Sequence, residues 1–123
     1  MNYEINVLYL AFSNLTKTIK VARDSLYEGD DNLALLNYHE VAQIFDQLGN
    51  REKYGSCMNN LGCIYIKKDC FEHAVEFLKN ASEIQQLIIN NAKSNPSVSE
   101  TDMKSFLFVN ACRNYNKALA CHR

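Results

Sequence analysis

Only one proline and four glycines interrupt the 123 residues, so little in the chain stops a helix, and an all-helical protein is expected. No apolar run reaches the roughly 18 residues of a membrane span. Thirteen basic against fourteen acidic residues leave a formal net charge of −1, without the basic excess that nucleic acid requires. The first residues, Met1-Asn2-Tyr3-Glu4, lack the basic region of a secretion signal. A glycine-rich phosphate loop, HExxH and GxSxG are all missing. His39 and His73 each adjoin a glutamate, Glu40 and Glu72, but sequence neighbours point to different faces of a helix and make no dyad. The cysteines, Cys57, Cys63, Cys70, Cys112 and Cys121, are odd in number and form no CxxC pair. They read as reduced thiols of a cytoplasmic protein. A zinc site from Cys63, Cys70 and His73 would need side chains from opposite ends of a hairpin turn to converge. These absences exclude most catalytic classes. No enzyme, cofactor, metal, nucleic acid or membrane is expected, and at 47% hydrophobic the chain can bury one core as a single domain over 1–123.

What is present is a pattern of helical hairpins. In the segment around 55–88, Leu61, Gly62 and Tyr65 lie on one stripe of a helix, because residues three and four apart are surface neighbours. Gly62 costs about 1 kcal/mol inside a helix relative to alanine. That cost makes sense where a second helix approaches closely. Ala74, Leu78 and Ala81 form the matching stripe on the second helix, and Lys67-Lys68-Asp69 the polar turn between the two. Forty residues earlier the pattern recurs, weaker and in register, as Val21, Ala22 and Ser25, then Ala34, Tyr38 and Val41. Gly29-Asp30-Asp31 stands where the turn belongs, with Asp30 or Asp31 to cap the next helix. A third unit starts beyond the loop-forming residues 91–100, with Asn110 to Tyr115 laid on Asn60 to Tyr65 and Ser99 or Thr101 as cap. Five helices follow, near 3–27, 32–48, 51–67, 71–91 and 101–121. The early part of the first, with Ile5, Leu8, Tyr9, Phe12 and Leu15 at helical spacing, reads as a lead-in extension.

The positions Leu61, Gly62, Tyr65, Ala74, Leu78 and Ala81 fall at the L-G-x2-Y-x8-A-x3-(F/Y/L)-x2-A spacing of the tetratricopeptide repeat, which this chain resembles. With its 40-residue period it looks like the longer repeats of Pins-type spindle-orientation adaptors and kinesin light chains. The resemblance covers roughly 15–90. It implies repeat one at about 15–48, repeat two at about 55–88, and a partial repeat or closing helix at about 101–121. The last of these reads as a cut piece of a longer array, since such solenoids usually hold about three repeats. The implied fold is a right-handed solenoid of antiparallel helix pairs, in which the first helix of each pair lines a concave groove.

The implied function is protein–protein interaction, as a scaffold or adaptor holding a partner peptide or helix in that groove. Candidate groove residues are Ile19, Lys20, Arg23 and Tyr27 in the first repeat. In the second they are Ser56, Asn59, Asn60, Cys63, Ile66 and Lys67, and in the third Phe106, Asn110 and Arg113. Asparagine suits a peptide groove because its amide both donates and accepts. Asn60 stands where chaperone-binding members hold a terminal carboxylate, but Ile19, Arg23 and Asn110 replace the rest of that clamp. The alternative is self-association, a homodimer through the last helix with Phe106, Phe108, Val109 and Leu119.

Overall fold

A computed structural model describes the chain from Tyr3 to His122, with side chains from Asn14 onward. Five helices and no strand occur among the described residues: α1 (Tyr3–Glu28), α2 (Asp31–Gln47), α3 (Arg51–Lys67), α4 (Phe71–Lys93) and α5 (Glu100–Cys121). The apolar stripe Ile5, Leu8, Tyr9 and Phe12 belongs to side chains outside the described set.

Three turns join the first four helices, and all are built alike. Within two residues of each helix end stands a residue of positive φ: Gly29 (84°), Gly49 (72°) and Asp69 (59°), at 20-residue intervals. In each turn the next residue donates back to the helix, Asp30 N–H to Ser25 O, Asn50 N–H to Phe45 O and Cys70 N–H to Tyr65 O (2.8, 3.0 and 2.9 Å). The positive-φ residues bond to Leu26, Asp46 and Ile66 carbonyls. This is the Schellman arrangement, which satisfies carbonyls orphaned at a helix end. The residue that closes one helix also opens the next. Asp30 accepts from Leu33 N–H (3.2 Å) and Asn50 from Lys53 N–H (3.1 Å); before α5, Ser99 accepts from Asp102 N–H (3.0 Å). Among the described helix starts, only Cys70 lacks a side-chain cap.

Turns this short force neighbours in sequence to pack antiparallel. The main contacts run α1 to α2, α2 to α3, α3 to α4 and α4 to α5. Leu15, Ala22, Ala34, Tyr38, Val41, Met58, Leu61, Ile64 and Ala81 build one continuous core across the first four helices. Ala74, Leu78 and Ala120 form a second cluster where α5 returns along α4. A Cβ on Gly62 would overlap the Leu78 side chain, so the glycine marks a close crossing of α3 and α4. Lys67 Nζ pairs with Asp31 Oδ1 (2.9 Å), and Lys68 Nζ donates to Asn32 Oδ1 (2.5 Å), fixing the end of α3 to the start of α2.

Candidate functional site

A depression of about 180 Å³ opens between α1, α2 and α3, lined by Ile19, Arg23, Tyr38, Val41, Phe45, Lys53, Ser56, Cys57 and Asn60. Its floor is apolar. Tyr38, Val41 and Cys57 are buried, with Ile19 and Phe45 half-buried beside them. Asn60 and Ser56 offer polar groups at half-buried positions, and Arg23 and Lys53 stand exposed. Among the described residues neither cation has a carboxylate partner. Burial raises the Tyr38 hydroxyl above its ordinary value, offset in part by Arg23. Burial also pushes the Cys57 thiol up to about 11, against the pull of Lys53. Both groups are neutral at pH 7, so the charge of the site is that of its two cations.

Four residues named from the sequence, Ile19, Arg23, Ser56 and Asn60, meet in this depression. Tyr38, expected as a repeat-signature residue, supplies part of the floor. The others go elsewhere. Lys67 is committed to Asp31 across the hairpin junction, so a change there would loosen the fold. Cys63 and Ile66 pack against the Ala74, Leu78 and Ala120 cluster, and burial raises the Cys63 thiol as well. Asn59 accepts from Asn116 Nδ2 (3.1 Å), which ties α3 to α5. Asn110 and Phe106 are half-buried on α5, and the Phe106 carbonyl accepts from Gln85 Nε2 (2.9 Å).

Arg113 lies deepest of all. Only 4% of it is exposed. Its guanidinium donates to Ala81 O (3.1 Å), Gln85 Oε1 (3.2 Å) and Ser56 Oγ (3.3 Å), and so bolts α3, α4 and α5 together. Burial lowers its affinity for the proton, with Glu52 acting in the other direction. A Cβ on Gly55 would come within 2.8 Å of its Nη1, so that glycine is the slot through which the arginine passes. The sequence reading set Arg113 in an open groove. In the structure it presents no charge to a partner.

Lys53 was the lining cation that sequence reasoning missed. It lies one helical turn before Ser56 and Cys57 on the stripe that continues to Asn60, so extending that stripe backwards finds it. Phe45 follows likewise from Tyr38 and Val41 on α2.

The side of the last helix toward α4 mixes polar with apolar groups: Ala120 packs on Ala74 and Leu78, and beside Arg113, Asn114 Oδ1 accepts from Ser82 Oγ (2.6 Å). Phe106 and Val109, expected on its free face, are half-buried. The free face carries Phe108, as expected, with Leu107 and Tyr115; the three are 71%, 47% and 66% exposed, and exposed Ala111 and Ala118 continue the face.

The histidines sit among aromatics. His39 Nε2 is 3.4 Å from the Tyr65 hydroxyl, and its ring meets Phe77 edge-on at 5.5 Å. His73 stacks on Tyr65 at 5.2 Å. No three His, Cys, Asp or Glu side chains among the described residues gather into a metal-ligating group. No helix of the described residues is long and apolar enough to cross a membrane. The chain matches no family model, no curated protein and no solved structure.

Proposed function

We propose that this chain is a non-enzymatic protein–protein interaction module, a tetratricopeptide-type solenoid whose groove receives a segment of a partner protein. The observation that carries the proposal is the depression between α1, α2 and α3. It combines an apolar floor, an amide at Asn60 and two unpaired cations, Arg23 and Lys53. Such a surface fits an extended segment that offers one large apolar side chain and a carboxylate beside it. Support for the repeat reading comes from the three like-built turns at equal intervals and from the close crossing at Gly62. It also comes from packing that runs between consecutive helices.

The test is selection of random dodecapeptides displayed on phage against the whole chain. Binding of the selected peptides is then measured to wild type and to an Arg23→Glu/Lys53→Glu variant of unchanged helicity. Both residues are exposed and hold nothing else together, so the variant should fold. Selected peptides should pair an acidic with a large apolar residue and lose about tenfold in affinity on charge reversal. Failure to select any peptide, or equal binding to the variant, would reject the groove.

A second reading, self-association through α5, is favoured by one specific observation. The most exposed large apolar residues of that helix lie together on the side away from α4.

A further inference from the structure

We infer that α5 pairs with α5 of a second copy of the chain, antiparallel about a two-fold axis, with Phe108 of each copy seated against Ala118 of the other. The inference rests on the self-association reading and supplies its geometry.

The free stripe of α5 runs Phe108, Ala111, Tyr115, Ala118, with steps of three, four and three residues and with large and small side chains alternating. That is the heptad spacing of paired helices. A two-fold interface must be self-complementary: if residue i meets j, then j meets i. Laid antiparallel on its own copy, the stripe meets this condition with a large residue opposite a small one at every layer. Phe108 faces Ala118, and Ala111 faces Tyr115. A parallel pair would stack phenylalanine on phenylalanine and leave the alanines facing each other across gaps.

The receiving hole is already present. Tyr115, Ala118, Leu119 and His122 surround a depression of about 210 Å³. These four stand at i, i+3, i+4 and i+7, the set of residues that encloses one knob in helix pairing. Antiparallel register delivers Phe108 of the second copy to that hole. Nothing on the stripe repels it, because no charged side chain belongs to it between Lys104 and His122. Lys104 is itself paired with Glu100 (3.4 Å). Two aromatic side chains and two leucines per copy cover on the order of 400 Å² per partner, half of a standard interface, so the dimer is weak.

The register also brings Cys112, exposed at the edge of the stripe, opposite Cys112 of the second copy across the axis. Analytical ultracentrifugation of the whole chain should show 14.1 kDa near about 1 μM and a shift toward twice that mass near about 1 mM. A short bismaleimide should then capture the dimer through Cys112 in a Cys121→Ser background and fail on Cys112→Ser. Phe108→Ala and Ala118→Phe should each abolish the dimer, and the two together should restore it by exchanging large for small. These residues are exposed, and circular dichroism checks that each variant is folded. A chain that stays monomeric at 1 mM overturns both the pairing and the self-association reading. A dimer that escapes Cys112 capture, or that the double exchange does not restore, overturns the antiparallel register alone.

Discussion

Asp69 carries a cost that Gly29 and Gly49 avoid. All three occupy the left-handed region at the end of a helix, where a Cβ crowds the following carbonyl by about 1 kcal/mol. Asp69→Gly is expected to stabilise the chain by about 0.5 kcal/mol once the greater freedom of glycine in the unfolded state is subtracted, and Gly49→Ala to destabilise it by about 1 kcal/mol. Urea midpoints measure both. His39 gives a second prediction at this scale. Burial holds its folded-state pKa below the ordinary 6.5, so below that pH the unfolded chain binds the proton more readily. Its contribution is complete above about pH 6.5 and is lost as pH falls through the folded value. Between pH 7.5 and 5.5 the wild type should therefore lose more thermal stability than His39→Gln, and equal losses would show that the ring is not held neutral by its aromatic setting. Gly62 was legible without any structure, because an interior helical glycine has a cost that a close crossing explains. Gly55 was not, because its reason is a side chain 58 residues away.

At the scale of elements, helix boundaries were readable because α2, α3 and α5 start on a short polar cap and α1, α2 and α3 stop at a residue tolerant of positive φ. Faces were harder. Laying Asn110 on Asn60 sets α5 50 residues after α3, but the caps Asn50 and Ser99 stand 49 apart. One residue of slip turns a helix by about 100°. Arg113 thereby falls on the position of buried Ile64 rather than on that of Cys63, and the apolar stripe of α5 turns outward. The attachment of α5 consequently adds polar bonds at Arg113, Asn114 and Asn116 to the packing of Ala120 on Ala74 and Leu78, each bond worth about 1 kcal/mol net, with more lost when a buried acceptor is stranded. Arg113→Ala leaves Gln85 and the Ala81 carbonyl without their donor. It should cost about 3 kcal/mol and concentrate faster amide hydrogen exchange in α5, with protection in α2 and α3 retained. Even loss of protection through all five helices would mean that α5 is part of one cooperative unit.

For the whole molecule, the first four helices share one core and the first three hold the candidate groove, while α5 closes α3 and α4. The two surfaces point to different uses. The groove offers cations above an apolar floor, and the free face of α5 offers alternating large and small side chains. Residues 19–60 were enough to anticipate four of the nine residues that line the groove as ligand contacts, because their spacing follows the helical repeat. Lys53 and Phe45 lie one turn beyond the stretch from which the stripes were counted. The measurement that bears most directly on the proposed function is the amide chemical-shift map of the labelled chain on addition of a selected acidic, apolar peptide. The account predicts perturbations confined to the turns around Arg23, Tyr38, Phe45, Lys53 and Asn60. Perturbations centred on residues 107–119, or none at a concentration where the peptide binds, would contradict it.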